Sequence, residues 1–393
     1  MRIALFSGNY NYLREGANQA LNRLVGHLEE RAGHSVRVYS PVTRTPAFEP
    51  AGTLIPVPSV QLPVRGEFRL ALGLPDKIRR DLDRFAPDLI HVATPDILCT
   101  RAQTFAAQRG VPVVASQHTL FETYLGYYGL NWARPAVEAH LRRFYRRSDH
   151  VLTPTPILAD EMRRIRSDDE VSVWSRGVDR AIFHPGQRDM AWRRGQGIAD
   201  HETAILFFGR LVVEKGVAIY VDVVRALQAR GLAVRPLLVG AGPAREAFAP
   251  LRGVVATGHL QDHDLARAVA SADIMLTPST TETFGNVVLE AMAAGVPVVS
   301  ADAPSARALI DHGRNGWLCP ALDVAAYTAC ITSMVEAPEL RRAIGDEAVR
   351  TSLGYSWHAV SESVERTYRA VVARPARFRR PAGGSDVAAK RRL

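Results

Sequence analysis

The chain has 393 residues, of which 47% are hydrophobic and 23% charged, a composition typical of a globular protein large enough for two domains. No run reaches roughly 18 apolar residues. The N-terminal sequence turns polar by Ser7, so we expect neither a membrane-spanning helix nor a signal peptide. The cysteines lack a C-x-x-C pair, which argues against a disulfide framework or a zinc site. They are Cys99, Cys319 and Cys330.

The net charge of +9 is unevenly distributed along the chain. Residues 1–180 contain 24 lysines and arginines against 19 acidic residues, whereas the tail, 374–393, contains 7 against 1. No module that reads nucleic acid is visible, so nucleic acid is not an expected partner. The tail is predicted to be disordered, and it either attracts an anionic membrane surface or is a solvated end.

The first half of the chain alternates between strand and helix patterns. Strand 2–7, helix 17–31 and strand 35–39 form a β-α-β unit, but their first loop lacks G-x-G-x-x-G and does not indicate a nicotinamide or flavin site. Residues 41–70 are rich in proline and aperiodic, which predicts a loop and a possible surface for binding a substrate. The alternation continues through helix 75–85, strand 88–92, helix 97–109, strand 111–115, strand 150–153, helix 157–166 and strand 171–174.

His118 comes shortly after the predicted strand 111–115. A lone histidine is more often structural than functional. Ligands of α/β sheets, however, bind at the carboxyl ends of strands, and His118 lies at such an end. Position alone leaves both roles open.

A basic amphipathic segment lies between Trp132 and the strand at 150–153. Its arginines alternate with apolar residues at helical spacing, which suits a helix lying on anionic lipid. The same pattern is typical of a helix that is buried on one side and solvated on the other. The expected membrane-contacting residues are Trp132, Arg142, Arg143, Arg146 and Arg147.

The second half opens with an apolar strand at 204–208, followed by the loop GRLVVEKG. Arg210 and Lys215 precede the next helix, where two cations would flank a diphosphate. The chain has 49 lysines and arginines, yet only Lys77, Lys215 and Lys390 are lysines. The lysine in this loop therefore indicates a need for a compact ammonium group, with a plain surface charge as the alternative.

The segment 273–300, DIMLTPSTTETFGNVVLEAMAAGVPVVS, is typical of strand, loop, helix and strand. Glu282 lies in the loop and Glu290 one to two turns into the helix. They would serve either a ligand or, respectively, helix capping and a solvated face. Strands at 297–300, 305–310 and 316–318 complete the predicted sheet. First-turn amides that suit a phosphate or a sugar oxygen belong to Phe284, Gly285, Asn286 and Val287.

The stretch TETFGNVVLEAMAAGVPVV, with its E-x7-E spacing, strongly resembles the donor-binding signature of retaining glycosyltransferases of family 4. The resemblance implies the GT-B fold, two facing Rossmann-like α/β domains with a C-terminal helix that crosses back to the first domain. It covers the chain to about residue 372 and is strongest in the second half. R-G-V-D at 176–179 further resembles the subset that includes sulfoquinovosyl-diacylglycerol synthases and GDP-mannose-dependent mannosyltransferases.

The resemblance also implies residue roles. Glu282 would contact hydroxyls of the transferred sugar, and Glu290 would contact the ribose. Arg210 and Lys215 match the R-x4-K pair that neutralises the leaving diphosphate, and His118 would contact the donor sugar. The expected catalytic residues are therefore Glu282, His118, Lys215 and Arg210.

One departure from the family concerns the first loop. Family members often have paired glycines there that approach the donor diphosphate, whereas this chain keeps only Gly16 within 14–18, and Gly16 is our expected close-approach position. The loop 258–260 is implied to line the base pocket. The expected donor-binding set is Gly16, Arg210, Lys215, Leu260, Glu282, Thr283, Phe284, Gly285, Asn286, Val287 and Glu290.

The resemblance thus implies a retaining transfer of a hexose or uronate from a UDP- or GDP-linked sugar to a membrane lipid, without a further cofactor. The motif region, 273–300, contains no D-x-D or other dense acidic cluster, so we predict that the transfer is independent of a metal ion. A soluble or polysaccharide acceptor, a nucleotide-sugar hydrolase or epimerase, and a non-catalytic sensor are the alternatives. We expect a cytoplasmic protein at the inner membrane face. The expected domains are an acceptor-binding domain at 1–180, a donor-binding domain at 181–356 opening with a polar connector at 187–201, a crossover helix at 357–373 and the tail at 374–393.

Overall fold

The computed structural model describes residues 1–61, 68–127 and 129–374, so the predicted tail falls outside the described residues apart from Arg374. Contacts divide the chain into two compact units. The first unit contains Met1–His118, Trp132–Trp174 and the chain from Ser361. The second unit contains Thr119–Asn131 and Ser175–Val360.

A parallel sheet forms the centre of the first unit. The strands of this unit are β1 (Arg2–Phe6), β2 (Ser35–Ser40), β3 (Thr53–Pro56), β4 (Ser59–Gln61), β5 (Arg69–Ala71), β6 (Leu89–Val92), β7 (Val113–Ser116), β8 (His150–Thr153) and β9 (Val171–Val173). Seven of them pair in the order β3-β2-β1-β6-β7-β8-β9, while β4 and β5 form a separate antiparallel hairpin. The central strands are short apolar runs that are buried along almost their whole length, as parallel strands covered on both faces must be.

Helices connect these strands, and side-chain caps start two of them. The helices up to residue 174 are α1 (Gly16–Glu30), α2 (Asp76–Phe85), α3 (Ile97–Arg109), α4 (Phe121–Tyr127), α5 (Arg134–Arg146) and α6 (Pro156–Arg166). Asp96 accepts a hydrogen bond from the Cys99 amide at the start of α3, and Thr155 accepts one from Leu158 at the start of α6. Helix α4 belongs to the second unit.

The second unit has a parallel sheet with a similar strand order. Its strands are β10 (Thr203–Phe208), β11 (Val234–Val239), β12 (Val255–Gly258), β13 (Ile274–Thr277), β14 (Val298–Ala301) and β15 (Trp317–Cys319). They are all parallel, in the order β12-β11-β10-β13-β14-β15. The strand order therefore reverses between β10 and β13, which is the topological switch point of a Rossmann-like sheet.

The helices from 190 to 352 cover both faces of this second sheet, and the last helix follows them in the chain. They are α7 (Met190–Gly195), α8 (Val217–Ala229), α9 (Asp262–Ala270), α10 (Asn286–Ala293), α11 (Pro304–Arg307), α12 (Val324–Glu336), α13 (Pro338–Ser352) and α14 (Trp357–Val372). Side chains alternate across β10, so Ile205 and Phe207 lie in one buried cluster and Ala204 and Leu206 in another. The last helix, α14, begins in the second unit, and its residues from Ser361 belong to the first.

Three local predictions were wrong. The segment 41–70 was predicted to be a loop but contains β3. This strand has no clear sequence pattern, because it is a short, half-exposed edge strand that ends in proline. Residues 305–310 are not a strand, because Pro304 starts the short helix α11, with Ala306, Leu309 and Ile310 at helical spacing. The polar connector 187–201 contains α7, which is anchored by a buried arginine, Arg193.

Candidate functional site

The switch point of the second sheet brings two predicted site residues together. The loop after β10 carries Lys215 and the loop after β13 carries Glu282, and these two strands are neighbours. Lys215 Nζ donates to the Glu282 carboxylate in a half-buried ion pair. Residues 67 positions apart in sequence thus form one polar site where Rossmann-like sheets bind their ligands.

Close backbone packing fixes the position of Lys215. The lysine ends a short 3-10 helix, Val213–Lys215, and Gly216 follows with a φ of +76°. A Cβ atom on Gly216 would lie 2.8 Å from the Cβ of Pro278, so a side chain would separate the two loops. Glycine is therefore required at position 216 for two reasons: the backbone is left-handed there, and Pro278 packs closely against it.

The two loops also share hydrogen bonds. The hydroxyls of Ser279 and Thr281 donate to the carbonyl oxygen of Glu214 over 3.5 and 3.4 Å. Glu214 itself is buried although its side chain is acidic. These contacts join the residue before Lys215 to the segment before Glu282, and they hold the ion pair in register.

The start of α10 supplies the amides predicted from the sequence. Gly285 has a φ of +91° and precedes the helix, so Asn286 and Val287 lie in its first turn, where N–H groups lack intrahelical acceptors. The Phe284 side chain is buried and packs edge-on against Tyr355, with 6.0 Å between the ring centroids. Of Phe284, therefore, the backbone amide and not the side chain would bind a ligand. Thr283 and Glu290 are half-buried on either side of this turn.

Glycines let the loops after β10, β11 and β12 pack edge to edge. A Cβ atom on Gly240 would lie 1.9 Å from the Gly209 carbonyl oxygen, and one on Gly242 would lie 2.3 Å from that of Leu211. The Gly240 amide donates to the Gly258 carbonyl at 2.9 Å. Gly240 and Gly242 were not among the predicted site residues, because each is required by a contact with a different loop.

The remaining predicted donor residues of the second unit have different environments. Arg210 is exposed in the loop after β10. Leu260 follows β12 and is half-buried against the hydrophobic core, so its side chain packs inward. Within the described residues, no group of three or more His, Cys, Asp or Glu side chains is arranged to hold a metal ion.

In the first unit, the equivalent switch point lies between β1 and β6. Gly16 is the first residue of α1. Gly8, which the sequence analysis did not select, makes the tight approach: its amide donates to Thr94 Oγ1 at 2.9 Å, and a Cβ would lie 2.5 Å from Asp96 Oδ2. The sequence did contain a signal for this role, since Gly8 directly follows the predicted strand 2–7.

His118 follows β7, as predicted. Its Nε2 atom lies 2.8 Å from Ser116 Oγ, and its ring packs edge-on against Trp174 with centroids 5.1 Å apart. Trp174 is buried. The imidazole is therefore held in a fixed orientation at the carboxyl end of a central strand.

The basic segment is buried on one side. Phe144 and Tyr145 of α5 belong to the core of the first unit, so they are not available to a membrane. Arg146 Nε donates to the Ile165 carbonyl at 2.8 Å, and Arg147 donates to Thr104 Oγ1 at 3.0 Å. Burial and then the nearby Arg143 lower the pKa of Arg147.

Four of the five predicted membrane residues are exposed. The Trp132 side chain is 80% exposed just before α5, and Arg142, Arg143 and Arg146 are exposed on that helix. Among the described residues, no helix is both long and apolar enough to cross a bilayer.

Family models match both halves of the chain. The model described as glycosyltransferase family 4 matches residues 14–181, and the model described as glycosyl transferases group 1 matches residues 202–337. The two matches include Gly16 at the start of α1 and the segment that contains Lys215 and Glu282.

Curated relatives extend over most of the chain. It is 33% identical to the GDP-mannose-dependent alpha-mannosyltransferase of Mycolicibacterium smegmatis, over 95% of this chain and 98% of that one. It is 28% identical to the sulfoquinovosyl transferase SQD2 of Arabidopsis thaliana, over 92% of this chain and 72% of that one. The alpha-monoglucosyldiacylglycerol synthase of Acholeplasma laidlawii is 24% identical over 80% of this chain and 84% of its own length.

Solved structures show the same architecture. Sucrose-phosphate synthase from Thermosynechococcus elongatus superposes with a TM-score of 0.77 at 20% identity, covering 95% of this chain and 99% of that one. The fold is thus GT-B, and the protein is a glycosyltransferase that uses nucleotide sugars. The chain belongs to glycosyltransferase family 4.

Proposed function

We propose that the protein is a retaining glycosyltransferase that moves a hexose or a uronate from a nucleotide-diphosphate sugar to a membrane lipid without a metal ion. The observation that carries this proposal is the ion pair of Lys215 with Glu282 at the switch point of the second sheet. A cation and a carboxylate held side by side match the two ends of the donor: a diphosphate and a sugar rich in hydroxyl groups.

The charge that develops on the leaving diphosphate determines the roles. As the glycosidic bond breaks, the anomeric carbon becomes cationic and the diphosphate gains negative charge, which preorganised donors stabilise. Lys215, Arg210 and the first-turn amides from Phe284 to Val287 would meet that negative charge, aided by the positive end of α10. Glu282 would orient the sugar hydroxyls and stabilise the cationic carbon, and Glu290 would bind the ribose.

The same residues support independence from a metal ion. Lys215 and Arg210 supply two formal positive charges, and the N-terminus of α10 supplies a partial one. Together these offset the charge of a diphosphate without Mg²⁺. Activity in the presence of EDTA would test this part of the proposal, and loss of turnover on chelation with recovery on adding Mg²⁺ would contradict it.

A lipid acceptor is supported by a relative and by one surface. The Acholeplasma relative is named as an alpha-monoglucosyldiacylglycerol synthase, and its match covers 80% of the present chain. Trp132, Arg142 and Arg143 expose an aromatic ring and two cations near each other in sequence, a combination that suits the interface of an anionic bilayer. We place the enzyme at the cytoplasmic face of the membrane on this basis.

The deciding experiment is a panel of UDP-glucose, UDP-galactose, UDP-glucuronate and GDP-mannose, each incubated with the enzyme and a membrane lipid extract and read by mass spectrometry. A hexose or uronate increment on a lipid, with the anomeric configuration of the donor kept, is the expected result. Donor consumed equally without lipid would identify a hydrolase, and a donor sugar changed in configuration would identify an epimerase. A product formed only with a soluble glycan would overturn the lipid acceptor.

Liposome flotation tests the membrane surface separately. The variant Trp132→Ala/Arg142→Glu/Arg143→Glu should lose binding to vesicles that contain anionic lipid, because it removes the exposed ring and reverses two charges. The matched control is Arg79→Glu/Arg80→Glu, which reverses two adjacent exposed arginines on α2. Equal binding by both variants would contradict a specific role for this surface. A chain that ends at Arg374 would show whether the basic tail contributes.

A further inference from the structure

A chain of hydrogen bonds runs from His118 into the core of the first unit. His118 Nε2 lies 2.8 Å from Ser116 Oγ, and the same hydroxyl lies 2.7 Å from His91 Nε2. His91 Nδ1 lies 2.5 Å from the Tyr368 hydroxyl on α14. Ser116, His91 and Tyr368 are all buried, at 1% exposure or less.

The protonation states of His91 and Tyr368 limit the directions in which these hydrogen bonds can run. Burial lowers the pKa of His91 to about 3, so its ring is neutral and has one N–H donor and one bare nitrogen. Burial also raises the pKa of Tyr368, so its hydroxyl keeps its proton. Ser116 has one proton and accepts from any other neighbour. The bonds must therefore all run in one sense.

Only one direction of these hydrogen bonds gives the Tyr368 hydroxyl an acceptor for its proton. Among the described residues, His91 is the hydrogen-bond partner of the Tyr368 hydroxyl. If Tyr368 donates to His91 Nδ1, His91 Nε2–H donates to Ser116 and Ser116 donates to His118 Nε2. The reverse direction leaves a buried O–H without an acceptor, which costs about 1–3 kcal/mol.

We infer that Ser116, His91 and Tyr368 are positioning residues that fix His118 as the neutral tautomer with its proton on Nδ1. His118 then offers an N–H donor to an oxygen of the substrate, rather than a bare nitrogen that would accept a proton. The link to catalysis rests on the proposed function, in which His118 contacts the donor sugar; the tautomer itself follows from the first unit alone. The C-terminal helix thereby determines the chemistry of a residue 250 positions earlier in the chain.

Nuclear magnetic resonance tests the tautomer without any assay of activity. Two-bond proton–nitrogen correlation spectra of protein labelled with ¹⁵N-histidine distinguish protonated from bare ring nitrogens, and the His118→Asn spectrum assigns the signal. We expect His118 to show protonated Nδ1 and bare Nε2. Tyr368→Phe removes the terminal donor and should move the His118 proton, wholly or in part, to Nε2. A wild-type His118 with its proton on Nε2, or an unchanged signal in Tyr368→Phe, would overturn the inference.

A matched variant separates this effect from the loss of a buried hydroxyl. Tyr39→Phe also removes a buried hydroxyl in the first unit, one that donates to Asp81 Oδ2 at 2.8 Å outside the chain of bonds. It should leave the His118 signal unchanged. Ser116→Ala removes the hydroxyl in the middle of the series of hydrogen bonds, so it should move the His118 proton as Tyr368→Phe does. If Ser116→Ala does not fold, the comparison of Tyr368→Phe with Tyr39→Phe decides the question.

Kinetics then connect the tautomer to the reaction. Loss of one substrate hydrogen bond corresponds to about a tenfold fall in kcat/KM in Tyr368→Phe, against less than about twofold in Tyr39→Phe. His118→Asn, whose amide can place an N–H near the position of Nδ1, should keep more activity than His118→Gln. Equal losses in the two tyrosine variants would contradict the positioning role. If the wild-type enzyme transfers no sugar, the proposed function fails while the NMR result still decides the tautomer.

Discussion

Lys215 allows a sharp test of the donor site at the scale of one residue. We expect Lys215→Ala to lower kcat/KM for the nucleotide sugar by about 10²–10³, because it removes a preorganised cation from the leaving diphosphate. Lys215→Arg should restore little of this, since a planar guanidinium does not replace a compact ammonium held beside Glu282. The measurement is donor turnover at low substrate concentration.

Lys77 provides the control for that experiment. It is exposed on α2 in the first unit and is one of only two other lysines in the chain. Lys77→Ala should keep near-normal kcat/KM. A normal rate in Lys215→Ala would remove the lysine from the site, and a similar fall in both variants would point to a general loss of folded protein.

Glu282 should matter for activity far more than for stability. Its pair with Lys215 is half-buried, and such pairs contribute about 0–1 kcal/mol to the free energy of unfolding. Glu282→Gln keeps the shape of the side chain, so urea unfolding should shift by less than about 1 kcal/mol while kcat falls by at least about 100-fold. A large loss of stability with near-normal kcat would mean that the glutamate is structural.

The residues of this site differ in how far sequence alone could find them. Glu282 and Glu290 lie within one motif, and Arg210 and Lys215 lie within another, so the resemblance of these motifs to family 4 selected all four, whereas spacing alone left the roles of the two glutamates open. The contact of Lys215 with Glu282 joins two loops across the sheet, and it follows only from the strand order. Ser116 and His91 carry no local signal, because their role depends on Tyr368 from the end of the chain.

At the scale of secondary-structure elements, the close packing of the loops at the carboxyl ends of β10 and β11 requires glycine. Gly240→Ala would place a methyl group 1.9 Å from the Gly209 carbonyl oxygen and would strain a backbone with a φ of +143°. The loops after β10 and β11 must then separate, which moves Arg210 and Lys215. We expect a loss of at least about 1–3 kcal/mol in the free energy of unfolding and a raised KM for the donor.

Gly231 is the matched control for the element-scale prediction. It also has a positive φ, +76°, but nothing lies within 4 Å of the position of its Cβ. Gly231→Ala therefore reports backbone strain alone, and its KM should not change. If Gly240→Ala behaves like Gly231→Ala in both unfolding and KM, close packing of the two loops is not what positions the cations.

The alternation of strands and helices was readable because buried parallel strands are short apolar runs bounded by loops. The prediction succeeded for β1, β6, β7, β10 and β13, which lie at the centres of their sheets. It failed for β3, an edge strand that is exposed along much of its length. It also failed for α11, where four residues and a proline give a pattern too short to separate from a strand. Burial, which produces the apolar signal, is weakest at these positions.

At the scale of the whole molecule, one buried carboxylate ties together distant parts of the second unit. Asp273 precedes β13 and accepts from Arg188 at 2.6 Å, from Arg193 at 2.8 Å and from the Ala204 amide at 2.7 Å. The first arginine follows a 3-10 turn and the second lies on α7, so the segment predicted to be a polar connector is anchored to the central strands. This explains why the connector belongs to the second unit.

The same carboxylate makes stability depend on pH. Burial alone would raise the pKa of Asp273, but Arg188 and Arg193 together with the Ala204 amide hold the pKa below its usual value. Since the folded chain binds this proton less readily than the unfolded chain does, the stabilisation is complete above about pH 4 and is lost as pH falls towards the folded pKa. Asp273→Asn should cost about 3–5 kcal/mol at pH 7, because Arg193 is left buried without its counter-charge.

Urea unfolding of the full chain from pH 3 to pH 8 measures both effects. The wild-type protein should lose stability below about pH 4 more steeply than Asp273→Asn, whose lost carboxylate removes part of that slope. Asp200→Asn is the control, because Asp200 pairs with Arg194 in an exposed position where screening leaves the pair weak. It should leave the unfolding curve unchanged at pH 7. Parallel acid slopes in the wild-type protein and Asp273→Asn would show that another group dominates acid unfolding, and that the anchor of the connector is not the carboxylate.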